Sequence, residues 1–189
     1  MTPTIYLAGP DVFLPDAIAI GRRKQAMCRA FGFEGLFPLD NKVEVAGDAY
    51  SIFRQNRDLM RRADIGVFNL TPFRGPSADA GTVFELGFMC SKGKPVFGYT
   101  SDARLYRERV AATFGATESE GGVRDRDKFA VEDFGLRDNL MITGAIEAAG
   151  GTVAAVAEQD ADAKASALAA FAAFEACLKI VKEKYRPHR

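Results

Sequence analysis

The stretch GPSADAGTVFELGFM, residues 75–89, places two carboxylates, Asp79 and Glu85, in a segment that reads as the start of a helix. Ser77 or Asp79 can accept hydrogen bonds from the free amides at such a start. Gly81 has no side chain and lets a ligand approach the backbone. Glu85 falls in the first or second turn, where the partial positive charge of the helix N-terminus is expected to lower its pKa and keep it ionised. An ionised carboxylate beside a concave site can attack carbon or act as a base. The plain alternative is that Asp79 is only an N-cap and Glu85 pairs with a lysine. A phosphate on this helix start is disfavoured. Asp79 would set a negative charge beside it, and the chain has neither a P-loop lysine nor GxGxxG after its first strand.

The surrounding pattern says what must position these groups. Thr4–Ala8 reads as a buried strand ended by Gly9-Pro10, and residues 15–31 have helical spacing. Residues 33–37 form a short second strand and residues 50–62 a second helix. Residues 64–70 read as a strand buried on both faces, which favours a parallel sheet. Residues 71–76 are loop, 82–92 helix and 94–99 a fourth strand. Residues 101–135, polar and rich in Gly, Arg and Asp, read as an insertion, partly loop. A helix at 136–149, a fifth strand at 152–157 and a long Ala-rich helix at about 160–184 complete the chain, the last with Leu168, Phe171, Phe174 and Leu178 as its apolar stripe. Strand and helix alternate throughout. The expected fold is a single doubly wound α/β domain over residues 1–189, flavodoxin- or Rossmann-like, with a five-stranded parallel sheet and helices on both faces. Such sheets bind ligands beyond the carboxyl ends of their strands. Gly9-Pro-Asp11, the 71–81 loop and the helix after it should meet there.

Composition narrows the function classes. The 189 residues carry 25 Lys plus Arg against 25 Asp plus Glu, which favours neither nucleic acid nor a membrane surface as partner. The cysteines, Cys28, Cys90 and Cys177, are widely spaced, no CxxC occurs and the single histidine is His188, so a Cys/His metal site is not expected. With no signal-peptide pattern and no long apolar span, reduced cysteines in a cytoplasmic protein are the simplest expectation.

IYLAGPDVF at 5–13, NRDLMRRADIGVFNLTPFRGPSADAGTVFELGF at 56–88 and DFGLRDNLM at 133–141 together resemble the nucleoside 2-deoxyribosyltransferase family. The resemblance spans most of residues 4–156. It implies that Glu85 attacks C1′ of a 2′-deoxynucleoside, that the base leaves from a deoxyribosyl-enzyme ester, and that a second base displaces the ester with net retention. That is the covalent logic of retaining glycosidases, with a nucleobase as leaving group and as acceptor. Tyr6 resembles the tyrosine that orients the nucleophile. Its alternative is a core aromatic.

Asp79 resembles an aspartate that binds the sugar hydroxyls, notably the 5′ oxygen. Relatives that hydrolyse deoxynucleoside 5′-monophosphates carry serine there, so Asp79 argues for unphosphorylated substrates. Counting back from Asp64 places Asn56 where some members have an aspartate that contacts the base. Asparagine can bind a base but cannot donate a proton as an acid, so the departing base needs another proton source. Gly9 and Asp11 are expected to line the site. Phe13 either stacks on the base or belongs to the core. Asn139 of DNLM, with Asp138 as the lesser candidate, resembles a residue that reaches a neighbouring subunit's sugar, against a plain helix cap, which implies a homo-oligomer. The implied partners are a deoxyribonucleoside and a free nucleobase, with no cofactor. Two alternatives stand beside base exchange: hydrolysis of deoxynucleosides or their 5′-monophosphates, and a non-catalytic nucleoside- or nucleotide-binding module.

Overall fold

A computed structural model describes residues 1–40, 48–156 and 163–185, with residues 163–169 as helix backbone only. The elements run β1 (Thr4–Ala8), a 3-10 turn (Pro10–Phe13), α1 (Ala17–Phe31), β2 (Glu34–Leu36), α2 (Ala49–Arg62), β3 (Ile65–Asn69), α3 (Ala80–Ser91) and β4 (Val96–Thr100). After these come α4 (Tyr106–Phe114), β5 (Ala116–Ser119), β6 (Gly122–Asp125), α5 (Leu140–Ala148), β7 (Val153–Ala155) and α6 (Ala163–Lys184).

Five strands form one parallel sheet in the order β2-β1-β3-β4-β7. This is the flavodoxin-like α/β arrangement, with helices on both sides. Period-two alternation divides each strand between two cores. Ile5 and Leu7 of β1 join Val67, Phe97 and Tyr99 in the layer closed by α1 and α6. Tyr6 and Ala8 join Phe68, Leu86, Met89 and Ile146 in the layer closed by α2, α3 and α5. All five residues of β3 are buried, as a strand covered on both faces requires. In α6 the buried positions Phe174, Cys177, Leu178 and Val181 follow helical spacing. Among the described residues, no helix is long and apolar enough to cross a membrane.

The segment read as an insertion holds more regular structure than its sequence suggests. It contains α4 and an antiparallel β5–β6 hairpin. In α4 the buried positions are Arg109 and Val110, and every residue of β5 is exposed, so neither element has an apolar period to betray it.

Chain order reverses between β1 and β3, the two neighbours whose carboxyl ends are Ala8 and Asn69. A crevice opens beyond such a point. The turn after β1, Pro38-Leu39 after β2, α2 and the capped start of α3 form its walls.

Candidate active site

Glu85 lies in the second turn of α3, and Tyr6 comes up from β1. The Tyr6 hydroxyl donates to Glu85 Oε1 at 2.7 Å, and the Asn56 amide of α2 approaches the same oxygen at 3.5 Å. Both contacts fall on Oε1, and among the described residues Oε2 accepts no hydrogen bond. Burial pushes the Glu85 carboxyl up to about 7, opposed by the hydrogen bond from Tyr6, assisted by the nearby charge of Asp79, and opposed again by Asn56. The expected depression by the helix N-terminus is therefore overturned: loss of water around the carboxylate outweighs a dipole worth about 0.3–1 kcal/mol at an exposed site. A raised carboxylate in a cleft makes Glu85 a candidate functional group. Tyr6 is fully buried, and burial together with the Glu85 charge keeps its phenol protonated as a donor.

Asp79 is the N-cap of α3. Its Oδ2 accepts from the Thr82 amide at 2.9 Å and from the Thr82 hydroxyl at 3.1 Å. The cap and the charged neighbour of Glu85 are thus one residue, and among the described residues Oδ1 accepts no hydrogen bond. Glu85 has no lysine partner among the described residues; its contacts are Tyr6 and Asn56.

Gly9, Phe13, Asn56, Asp79, Gly81 and Glu85 line one cleft of about 230 Å³ with Val12, Leu39, Ile52 and Thr82. Its wall is mostly apolar with a few convergent polar groups, the usual make-up of a small-molecule site. A Cβ at Gly9 would stand 2.5 Å from Asn69 Cβ and 2.6 Å from Asp11 Oδ2, so the turn after β1 admits no side chain there. Phe13 is 56% exposed and therefore not core. Its ring stacks on Phe73 at 5.1 Å and 10°, and the Arg74 guanidinium lies 4.9 Å from the Phe73 ring centre and 5.5 Å from that of Phe13.

Two predicted site residues lie elsewhere. Asp11 does not face the cleft: its Oδ2 meets the buried Lys24 ammonium at 2.7 Å and accepts from Asn69 Nδ2 at 3.1 Å. Asn139 caps α5 through Met141 N and donates to Glu132 at 2.6 Å, away from the cleft of its own chain. Asp58 is exposed and pairs with Arg57. Sequence reasoning missed Lys24, Asn69 and Thr82. Thr82 had a usable signal in its position three residues after the cap; Lys24 stands in the run Arg22-Arg23-Lys24, where nothing in the residue types says that one of the three is buried. Among the described residues no cluster of three His, Cys, Asp or Glu side chains is placed to hold a metal.

The model of the family described as nucleoside 2-deoxyribosyltransferase matches residues 5–141, which contain every group of this cleft. The chain belongs to the nucleoside 2-deoxyribosyltransferase family. An uncharacterized protein of Schizosaccharomyces pombe is 36% identical over 170 residues, 80% of this chain and 81% of that protein. The solved structure of a 2-desoxiribosyltransferase from Leishmania mexicana is 30% identical with a TM-score of 0.67, covering 97% of this chain and 99% of its own. A conserved protein from Enterococcus faecalis V583, 19% identical, shares the fold with a TM-score of 0.60 over 98% of this chain and all of that one. A nucleoside 2-deoxyribosyltransferase-like activity fits a cleft whose buried carboxylate is held by a phenol and an amide. The same family also includes related hydrolases.

Proposed function

We propose that the protein exchanges the nucleobase of 2′-deoxyribonucleosides through a covalent deoxyribosyl-Glu85 intermediate. The observation that carries this reading is the 2.7 Å hydrogen bond from Tyr6 to Oε1 of a buried Glu85, with Oε2 left for chemistry. Glu85 in its ionised form attacks C1′, and the C1′–N bond breaks with its electron pair passing to the base. Asn56 can bind that base but cannot protonate it, so the proton comes through water or another carboxylate. The nitrogen of a second base then attacks C1′ from the face the first one left, and its N–H proton returns by the same route. The ester bond breaks, Glu85 recovers its carboxylate, and two inversions give net retention. Asp79, with Oδ1 uncommitted, takes the sugar 5′ oxygen, and Phe13 on its Phe73 support offers a flat wall for the base. Exclusion of a bound 5′-phosphate follows from the Asp79 charge.

A homo-oligomer whose neighbouring subunit completes the cleft accompanies this reading. Asn139 does not reach the cleft of its own chain. Met141 beside it is exposed, as is the ring pair Phe53–Phe84 near the cleft wall.

The test is chromatography of deoxyinosine and adenine incubated with the protein, beside a tube without adenine. Deoxyadenosine forming only in the first, with little free deoxyribose in either, is the expected result. Hypoxanthine and deoxyribose in both tubes without deoxyadenosine would make the protein a hydrolase. Ligand binding without turnover, surviving Glu85→Ala, would make it a binding module.

A further inference from the structure

The loop between β3 and α3 delivers Asp79. Its start is tied by Thr71, whose amide and hydroxyl donate to Asn69 Oδ1 at 3.1 and 2.7 Å and whose hydroxyl accepts from Ser101 N at 3.1 Å, and its middle by the Phe13–Phe73 stack. Its internal backbone bond joins Phe73 N to Ser77 O at 3.0 Å, and Arg74 sits at a φ of 56°. The hold on its far end comes from 60 residues away. Asp138, 3% exposed, accepts from the buried Ala78 amide at 3.0 Å through Oδ2 and from Asn139 N at 2.8 Å through Oδ1. Behind it stands Arg109, 2% exposed, whose Nη2 lies 3.4 Å from Asp138 Oδ2. Arg109 Nε and Nη1 have no hydrogen-bond partner among the described residues, and Asp102 is the other carboxylate in its field.

We propose that Asp138, backed by Arg109, is a positioning residue of the sugar subsite, fixing Asp79 relative to Glu85 by holding the Ala78 amide. Ala78 immediately precedes Asp79. The helix side of Asp79 is set by its bonds to Thr82 and by Val83 N donating to its carbonyl at 3.0 Å. The loop side is set by Asp138. Two anchors on either side of one residue leave its carboxylate little freedom, which is what a subsite needs to favour one geometry. A buried cation with two unused donors also makes Asp138 hard to replace: its negative charge is the partner Arg109 touches. Through Arg109 the polar 101–135 segment thereby gains a task in the cleft without lining it. This inference rests on the reading of Asp79 as the group that takes the 5′ oxygen.

The test is a double-variant cycle of Asp138→Asn with Asp79→Ala, measured on a 2′-deoxynucleoside and on its 2′,5′-dideoxy analogue, which lacks that oxygen. Asp138→Asn should lower kcat/KM for the deoxynucleoside by about ten- to a hundredfold, the scale of a misplaced subsite group. It should barely affect the analogue and add nothing in the Asp79→Ala background. Equal loss on both substrates, or additive losses in the cycle, would overturn the proposal, since a merely structural role predicts both. Should Asp79→Ala itself lose both substrates equally, the assignment of Asp79 to the 5′ oxygen fails. The cycle still decides the tie to Asp138: non-additive losses uphold it and additive losses overturn it. Should the single variant not fold, Asp138→Asn with Arg109→Gln removes both buried charges together and is used in its place. Hydrogen exchange of the Ala78 amide reads the anchor without turnover. Faster exchange there in Asp138→Asn, with β1 and β3 amides unchanged, supports the proposal, and unchanged exchange at Ala78 overturns it.

Discussion

Tyr6 and Glu85 stand 79 residues apart in the chain, and their side chains meet at 2.7 Å inside the sheet–helix layer. The contact follows from alternation in β1, which turns Tyr6 toward α3 while Ile5 and Leu7 face α1 and α6. It also opposes burial, because the phenol favours the charged form of a carboxyl that desolvation has pushed up to about 7. Tyr6→Phe keeps the ring and removes the donor. The Glu85 pKa should then rise further, by about one to two units for a hydrogen bond to a charged group. In a pH profile of kcat/KM the acid limb should move to higher pH by that amount, with roughly a tenfold or greater loss at pH 7. An acid limb that stays in place would show that Tyr6 does not govern Glu85.

The same raised pKa is a statement about stability. Folded Glu85 binds its proton more tightly, at about 7, than a Glu at its ordinary 4.5, so folding favours the protonated form. Stability contributed by this site is therefore complete below about 4.5 and is lost as the pH rises through about 7. Glu85→Gln mimics the protonated group. It should abolish turnover, yet unfold several degrees higher than the parent at pH 8, reflecting a shift on the order of 3 kcal/mol. The gap should close as the pH falls toward 4.5. Thermal unfolding across that range checks it, and a variant less stable than the parent at pH 8 would contradict the assigned cause.

Beneath the cleft, Lys24 joins Asp11 at 2.7 Å and donates to the Tyr99 hydroxyl at 2.6 Å. Burial lowers the Lys24 pKa and Asp11 pulls it back up. Breaking such a pair leaves one uncompensated buried charge, so Lys24→Met should cost about 3–5 kcal/mol in denaturant unfolding. Lys24→Met with Asp11→Asn removes both charges and should recover much of that loss. Equal instability of the single and double variants would mean that packing around the lysine stem, not charge, dominates.

The motifs made part of this site legible. Gly9, Phe13, Asn56, Asp79, Gly81 and Glu85 line one cleft, with Tyr6 buried behind Glu85, because strand ends and a helix start at fixed spacing converge at the point where sheet order reverses. Asp11 misled because a polar residue after a strand looks like a ligand group. Its partner Lys24 lies on the inner side of α1, and a charged pattern does not reveal that a lysine is buried. The sign of the Glu85 shift was hidden for a similar reason: helix position is written in sequence, but the extent of desolvation depends on what packs around it. Segment 101–135 was opaque because α4 and β5 carry no apolar period.

Asp79 is both the cap of α3 and the charge nearest Glu85 that raises its pKa. Asp79→Ser separates these roles. Serine can still accept from Thr82 N, so the helix start should survive with a small stability change. The negative charge goes, and with it an obstacle to a 5′-phosphate, since a like charge at a binding surface costs several kcal/mol. The ratio of kcat/KM for a deoxynucleoside 5′-monophosphate to that for the nucleoside should rise at least about tenfold. The acid limb of the pH profile should also move downward, because the Asp79 charge no longer opposes ionisation of Glu85. Release of base from deoxyinosine and from its 5′-monophosphate, measured side by side across pH, tests both effects. If the substrate ratio stays fixed while the acid limb falls, Asp79 acts on the nucleophile alone and phosphate exclusion has another source. If both stay fixed, Asp79 is a helix cap and nothing more.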